Sequence, residues 1–402
     1  MTSASTTLRA ALDQLLDGLP PRQAAGAVER LMAGYRERQE RAERSEGAER
    51  AERGGPFAPA PVLRDRADAV AYAAYRMPAT FEAVTAALRE LAARLPGWAP
   101  TAHLDMGGGT GAAPWAAAEV WPGRDRRTVV VDRAGPALDL GRELATAGGL
   151  GGQVEWRQGR LGATAEGAPE LPGADLVTVS YVLGELPEPA RDAVVDAAAA
   201  AVTRATRDAG ERAATGAVVL VEPGTPEGYR RIRDARDRLL GAGLRVLAPC
   251  PHGAECPIEV GADWCHFAAR VSRSALHRRV KGGVLPYEDE KFAYVAAATP
   301  GPDAGPAPGR IVRRPLLRKG QVLLDLCTPE GGLRRTTVSK RRGQEYRAAR
   351  DSEWGAPWPP HPSPSPPSPP DYPSAAHPGQ DVQRTDAARD PAAPAERADD
   401  AE

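Results

Sequence analysis

The feature that most constrains the fold is a run of alternating strand-like and helix-like segments that begins near residue 102. Short apolar, β-branched stretches are separated by alanine-rich stretches of helical length. The predicted strands cover residues 102–106, 128–132, 154–157, 175–180 and 218–222. Because parallel strands are joined by crossover connections, this order predicts an α/β fold with a doubly wound parallel sheet.

Segments with different composition flank this sheet and define the expected organisation of the chain. We expect a helical and charged segment at 1–57, a helical lead-in at 58–98, the sheet domain at 99–300, a basic β extension at 301–350, and a disordered tail at 351–402 that is rich in Pro, Ser, Ala and Asp. A Cys-rich insertion at 249–283 interrupts the sheet domain. Further predictions are helices at 226–240 and 268–280, and strands at 244–248, 291–297, 311–317 and 321–326.

A glycine-rich segment lies between the first predicted strand and the helix that follows it. Gly107, Gly109 and Gly111 let the backbone turn sharply and approach a ligand, while the helix N-terminus offers free N–H groups. Asp105 ends the first strand, and Asp132 ends the second, where a carboxylate can accept hydrogen bonds from ribose hydroxyls. These five residues predict a nucleoside-cofactor site.

Glycine spacing alone does not identify the cofactor. Gly107, Gly109 and Ala112 also satisfy the dinucleotide pattern G-x-G-x-x-G/A, so a nicotinamide cofactor and S-adenosylmethionine both stay open. A tight turn without any ligand is the structural alternative. It is disfavoured because three consecutive glycines are costly in a turn that binds nothing.

All four cysteines lie in the C-terminal half, three of them in loops interrupted by Pro and Gly. Cys250, Cys256, Cys265 and Cys327 are separated by five, eight and sixty-one residues. In a reducing cytosol such a group favours metal binding over disulfides, and four thiolates suit either zinc or an iron–sulfur cluster. Structural zinc sites usually contain closely spaced cysteine pairs, so the spacing favours a cluster. The neighbouring histidines, His252 and His266, are interpreted as donors to the ligands or as packed loop residues, with zinc ligation as the alternative.

Charge is concentrated next to the fourth cysteine. Between residues 310 and 350 there are twelve Lys/Arg residues and three Asp/Glu residues, although the whole chain has a formal net charge of −1. A basic surface of this kind favours binding to the phosphates of a nucleic acid. The alternative is a solvated basic face balanced by the acidic tail.

Several segments together resemble the methyltransferase-like proteins of the small ribosomal subunit, which are ribosome assembly factors in bacteria and mitochondria. The resemblance covers about residues 67–340. It is carried by residues 75–80, 105–111, 180–186, 221–224, 249–252, 264–267, 326–327 and 337–340.

The resemblance implies a Rossmann-like class I methyltransferase fold that binds S-adenosylmethionine and a place on small-subunit ribosomal RNA. It also implies a four-iron four-sulfur cluster held by the four cysteines. An RNA methyltransferase is the favoured activity, yet no catalytic residue is assigned, because residues 180–183 read Ser-Tyr-Val-Leu and lack an Asn-Pro-Pro-Tyr type of motif. A non-catalytic RNA-binding assembly factor and an NAD-dependent oxidoreductase are the alternatives.

The location of the protein is predicted from the absence of hydrophobic targeting signals in the sequence. The N-terminus lacks a basic start followed by an apolar run, and no stretch approaches the roughly 18 apolar residues of a membrane span. We therefore expect a cytoplasmic protein without a membrane partner.

Overall fold

The structure is a computed structural model of all 402 residues. It describes residues 3–17, 26–30, 33–34, 63, 65–123, 125–162, 171–208, 215–273, 285–301 and 305–360. Most of the charged segment near the N-terminus, and residues 361–402 of the expected tail, lie outside the described residues. No helix in the described part of the chain is long and apolar enough to cross a membrane.

The main sheet has eight strands, and its first five are the predicted ones. The order of the strands in the whole sheet is β3-β2-β1-β4-β5-β8-β6, and β7 also pairs with β8. Neighbours among the first five strands run parallel, whereas β8 is antiparallel to β5, β6 and β7. The strands are β1 (Ala102–Met106), β2 (Arg127–Asp132), β3 (Val154–Gln158), β4 (Leu176–Ser180), β5 (Ala217–Pro223), β6 (Arg245–Ala248), β7 (Phe267–Ser272) and β8 (Tyr287–Ala298).

Helices cover both faces of this sheet, so the predicted doubly wound α/β architecture is confirmed. One apolar core lies under α1 to α5 and the other under α6 and α7. The helices are α1 (Ala4–Asp17), α2 (Arg66–Tyr75), α3 (Met77–Arg94), α4 (Ala112–Val120), α5 (Gly135–Ala147), α6 (Glu188–Asp208) and α7 (Pro226–Gly241). Local chemistry marks the start of α7, where the Thr225 side chain accepts a hydrogen bond from the N–H of Gly228 and Pro226 occupies the first turn.

A second sheet of four strands follows the main one. It contains β9 (Arg310–Ile311), β10 (Leu316–Arg318), β11 (Gln321–Cys327) and β12 (Leu333–Ser339), and it is followed by α8 (Gln344–Arg350). The strand β11 pairs with all three others, antiparallel in each case. Its inward residues form a small apolar core with Ala349 and Trp358.

Part of the segment that the sequence predicts to be disordered packs against the second sheet. Residues 351–360 were expected to belong to a disordered tail, but Trp358 is buried in the core of the second sheet. Its N–H donates to the carbonyl of Gly309, and the N–H of Ile311 donates to the carbonyl of Ala356. The Pro-rich composition led to the prediction of disorder. This segment also contains two tryptophans, however, and their apolar surface stabilises packing.

The helix predicted at 268–280 is wrong in its described part. Residues 267–272 form β7, in which buried and exposed side chains alternate, and which pairs with β8 from Phe267↔Phe292 to Ser272↔Tyr287. The period-2 burial pattern and the partner strand override the weak helical propensity of the segment. Residues 274–284 lie outside the described residues.

Candidate functional site

The glycine loop lies at the carboxyl ends of β1 and β2, where parallel α/β sheets bind their ligands. Gly107, Gly109 and Gly111 all have positive φ angles, of 74°, 52° and 83°. The N–H of Gly107 donates to the carbonyl of Val131 at 2.7 Å, which fixes the start of the loop to β2. Gly111 then begins α4 in the left-handed conformation. The loop therefore needs glycine for its backbone angles.

Close neighbours also require glycine in the loop. A Cβ atom at Gly107 would lie 2.3 Å from a methyl group of Val182, and one at Gly108 would lie 2.2 Å from a carboxyl oxygen of Asp105. A Cβ atom at Gly111 would lie 2.6 Å from the ring of Trp156. These distances are far below van der Waals contact, so the loop is packed against β1, β3 and the segment that follows β4.

The two predicted carboxylates both contact this loop. One oxygen of Asp132 accepts from the N–H of Gly109 at 2.9 Å, and the other accepts from the N–H of Ala134 at 2.8 Å. Burial raises the pKa of Asp132 above its usual value, and these two backbone hydrogen bonds oppose that rise. The structure thus brings Asp105, the glycines and Asp132 together at one edge of the sheet.

Three buried polar atoms around the loop have no hydrogen-bond partner within the described structure. They are Oδ2 of Asp105, Oγ1 of Thr110 and Oγ of Ser180. Unpaired buried polar groups are rare in native proteins because desolvation costs about 1–3 kcal/mol each. Their grouping here indicates a place where a polar ligand completes the hydrogen bonding.

An ion-pair network beside the loop is a feature that the sequence analysis missed. Tyr181 follows β4 and has a φ of 61°, a left-handed conformation that costs a non-glycine residue about 1–3 kcal/mol. Its hydroxyl donates to Glu290 of β8 at 3.0 Å, and Arg76 donates to both carboxyl oxygens of Glu290, at 2.9 and 3.2 Å. Burial and the charge of Glu290 raise the pKa of Tyr181 well above its usual value, so this phenol stays protonated.

The four cysteines line one apolar cavity between the two sheets. Cys250, Cys256 and Cys265 come from the connection between β6 and β7, and Cys327 ends β11. None of them forms a disulfide. The structure therefore collects thiols that are far apart in the sequence, and the fourth of them comes from the second sheet.

Neighbouring side chains contact two of these thiols directly. Nε2 of His252 lies 3.3 Å from Sγ of Cys327, and the hydroxyl of Tyr229 lies 3.3 Å from Sγ of Cys256. These contacts place His252 as a neighbour of a thiol, whereas His266 stacks on Trp264 with 5.3 Å between the ring centroids. Sequence spacing indicated the histidines but gave no sign of Tyr229.

Burial and the neighbouring cysteines oppose ionisation of two of the thiols, those of Cys327 and Cys265. Burial first, and then the neighbouring cysteines, raise the pKa of Cys327 to about 12. The same two causes raise the pKa of Cys265 well above its usual value. A bound cation would favour the thiolate form of these two cysteines, since a cation reverses the local electrostatic cost.

The thiols share a cavity but do not form a recognisable metal site. Within the described residues, no group of three or more His, Cys, Asp or Glu side chains is arranged to hold a metal ion, although the four thiols line one cavity.

A buried arginine fastens the second sheet to the main one beside this cavity. Arg310 of β9 is 1% exposed and donates to the carbonyl of Pro249 at 2.9 Å, directly before the first cysteine. It also donates to the carboxylate of Glu90 on α3 at 2.7 Å and to the carbonyl of Gly355. The side chain of Arg310 therefore links β9 to α3, to the cysteine loop and to Gly355.

Comparison with known protein families places the chain. The family model described as mitochondrial small ribosomal subunit Rsm22 matches residues 66–359, well over half of the 402 residues. The chain belongs to the Rsm22 family. This match includes the glycine loop, all four cysteines and Trp358. The predicted membership of a family of the small ribosomal subunit is confirmed.

Two relatives show how far the likeness extends. The human ribosome assembly protein METTL17, mitochondrial, is 31% identical over 309 residues, which cover 71% of this chain and 61% of the human protein. The Saccharomyces cerevisiae ribosome assembly protein RSM22, mitochondrial, is 25% identical over 179 residues, which cover 29% of this chain and 28% of the yeast protein. This Rsm22-family chain therefore matches less than two thirds of the length of either relative.

Solved structures resemble the Rsm22-family chain only in part. An O-methyltransferase family protein from Burkholderia thailandensis gives a TM-score of 0.40 at 16% identity, covering 68% of this chain and 73% of that one. A likeness of this extent carries no statement about activity. The strand order by itself shows the doubly wound α/β architecture.

Proposed function

We propose that this Rsm22-family protein is an S-adenosylmethionine-binding assembly factor of the small ribosomal subunit that carries a [4Fe–4S] cluster and acts on or with ribosomal RNA. The observation that carries the proposal is the presence, within one family match, of a glycine loop at the carboxyl ends of β1 and β2 and a separate four-thiol cavity. We also propose that it works in the cytoplasm.

S-adenosylmethionine suits the glycine loop by hydrogen bonding and by charge. The loop leaves three buried polar atoms unpaired, and Asp132 has lone pairs that can accept from ribose hydroxyls. The sulfonium and ammonium groups of this cofactor are cationic, and the acidic side chains of the loop suit them. When bound, the cofactor would supply an activated methyl group. The chain's own part is to hold and orient it.

A four-iron cluster is favoured over zinc by the wide spacing of the cysteines in the sequence, which contains no closely spaced pair. The four thiols line one cavity. In a cluster each thiolate would bind a different iron atom. Cys250, Cys256, Cys265 and Cys327 would hold the cluster, and zinc is the alternative.

The second sheet offers a surface for RNA. Arg335 on β12, Arg342 and Arg350 are each more than half exposed and each pairs with one acidic residue. Phosphates can replace such exposed partners because surface ion pairs contribute only about 0–1 kcal/mol. Three large apolar side chains, Leu316, Leu317 and Leu333, are exposed on the same sheet. Charged and apolar groups together suit a ribonucleoprotein surface.

Methyl transfer to RNA is the proposed activity, and a non-catalytic assembly role is the second candidate. The second candidate is favoured by Tyr181, which occupies the position after β4 and is engaged by Glu290 and Arg76. A phenol that donates to a carboxylate and resists ionisation is a poor general base. A nicotinamide-dependent oxidoreductase is the remaining alternative, and it predicts binding of a dinucleotide.

The experiment that tests the proposal compares ligands on the purified full chain. Calorimetric titrations with S-adenosylmethionine and with NAD are expected to show binding of the first alone, weakened by Asp132→Asn. A matched control is Asp139→Asn, an exposed acid of α5 that pairs with Arg142. Binding of NAD instead would contradict the proposal. Affinity for a small-subunit ribosomal RNA fragment is expected to fall linearly with salt on logarithmic axes.

A further inference from the structure

A chain of buried hydrogen bonds runs through the main sheet behind the glycine loop. Thr178 of β4 donates its hydroxyl proton to Oδ1 of Asp105 at 2.7 Å. Nε2 of His103 lies 2.8 Å from the same hydroxyl oxygen. All three side chains are at most 1% exposed. They form a polar relay of His103, Thr178 and Asp105 inside an otherwise apolar layer.

The direction of each proton in the relay follows from counting donors. A threonine hydroxyl has one proton, and here that proton points to Asp105. Nε2 of His103 must therefore carry a proton and donate it to the hydroxyl oxygen, which leaves Nδ1 without one. That Nδ1 atom is buried and unpaired. The imidazole is held neutral, since burial lowers the pKa of His103 to about 3.

At the other end of the relay, Asp105 faces the loop with one unused oxygen. Its Oδ2 atom has no partner among the described residues and lies against the backbone of Gly108, where a Cβ atom would be 2.2 Å away. The groups that act on this carboxyl are Thr178 on β4 and Asp132 on β2, and neither is a cation. A buried carboxylate without a cation is costly, so the carboxyl is better accommodated in the empty protein with its proton.

We propose that Asp105, held in place by the positioning residues His103 and Thr178, is protonated in the empty protein, so that binding of cationic S-adenosylmethionine releases this proton to solvent and leaves a carboxylate facing the cofactor. The step balances: the carboxyl O–H bond breaks, the electron pair stays on Asp105, and the proton leaves to the buffer. The inference rests on the proposed cofactor and deepens it. Burial first, and then the charge of Asp132, raise the pKa of Asp105 to about 7, which the hydrogen bond from Thr178 partly opposes.

Calorimetry of S-adenosylmethionine binding in buffers of different ionisation enthalpy counts the released protons. We expect close to one proton per cofactor at about pH 6 and a count near zero at about pH 8.5. The dissociation constant should tighten about tenfold per pH unit below about pH 7 and then level off. Asp105→Asn should bind more weakly, without this pH-dependent proton release. Tight binding by the natural protein at about pH 6 with no proton release would overturn the inference.

Two threonine variants test the positioning role. Thr178→Val removes the donor to Asp105, so the levelling-off point of the binding profile should move to higher pH. Thr128→Val is the matched control, because Thr128 is also buried on a strand next to β1 and pairs in register with His103. Its profile should keep the levelling-off point of the natural protein. An equal shift in both variants would contradict the relay.

Thermal unfolding without cofactor separates this inference from the cofactor assignment. A carboxyl whose pKa is raised on folding contributes stability at low pH, and that contribution is lost as pH rises from about 4 to about 7. The melting temperature of Asp105→Asn relative to the natural protein should therefore increase from about pH 5 to about pH 8. A flat difference would overturn the protonation of Asp105. Failure of the cofactor to bind, with the increase intact, would overturn the cofactor assignment and the coupled release alone.

Discussion

The glycine loop and the cysteine cavity are built from the chain in opposite ways. The loop takes its carboxylates and glycines from residues 105–132, and one crossover between adjacent parallel strands positions them. The cavity takes its thiols from residues 250–327 and is complete only when β11 of the second sheet packs beside the β6–β7 connection. Because the loop rests on the main sheet alone, we expect it to keep its shape when the cavity is disrupted.

Removal of the fourth thiol should affect the cysteine cavity far more than the glycine loop. Cys327→Ser is expected to abolish the proposed cluster, and because binding at a structural metal site contributes on the order of 10 kcal/mol to folding, this is the largest effect. Amide exchange in β9 to β12 should accelerate strongly, whereas exchange in β1 to β5 and S-adenosylmethionine affinity should change little. Thr337→Ala, an exposed change on β12, is the control. Equal acceleration in both sheets would contradict the independence of the loop.

The loss of Trp358 should cause the next largest decrease in the free energy of unfolding. Trp358 is buried in the second core, so Trp358→Ala should cost about 3–5 kcal/mol of unfolding free energy. A chain that stops after His361 keeps every residue of this core and serves as the matched control. Denaturant unfolding measures both. If a chain ending at Ser352 were as stable as the full chain, the packing of residues 353–360 would be irrelevant to stability.

Two glycines with similar backbone angles separate crowding from backbone strain. Gly107 has a φ of 74° and is crowded by Val182, whereas Gly97 has a φ of 79° with nothing within 4 Å of the added Cβ. Gly97→Ala should cost roughly 1–2 kcal/mol of backbone strain. Gly107→Ala should cost about 1–3 kcal/mol more, because the neighbour must move. Equal losses of stability would mean that the loop is not packed as described.

The smallest expected difference in stability is between two ion pairs formed by adjacent residues of β8, one mostly buried and one exposed. Glu290 pairs with Arg76 at side-chain exposures of 13% and 24%, and the adjacent Asp289 pairs with Arg270 at 43% and 61%. Glu290→Gln should cost about 1.5–3 kcal/mol, since it weakens charged hydrogen bonds. Asp289→Asn should cost less than about 1 kcal/mol. Equal values in thermal unfolding would remove the special role of the Tyr181 network.

Local patterns predicted much of the fold and of the site, and long-range contacts account for what was missed. Alternating strands and helices gave the parallel sheet, and the glycine loop follows directly from β1 because a crossover connects adjacent strands. Glu290 could not be assigned in this way, since it meets Arg76 across 214 residues of sequence. The strand β7 was missed because its partner β8, not its own propensity, decides its conformation. The packing of Trp358 was missed because the predicted disorder rested on the Pro and Ser content of the segment and not on its tryptophans.

The metal content of the full chain tests the proposed cluster most directly. The protein would be purified without oxygen, and its iron, acid-labile sulfide and zinc would be measured together with its visible absorption spectrum. We predict about four irons and four sulfides per chain, bound by the four cysteines. A Cys327→Ser chain measured in parallel should lose both. One zinc without sulfide would contradict the proposed cluster and would leave a structural metal site that binds the second sheet without redox chemistry.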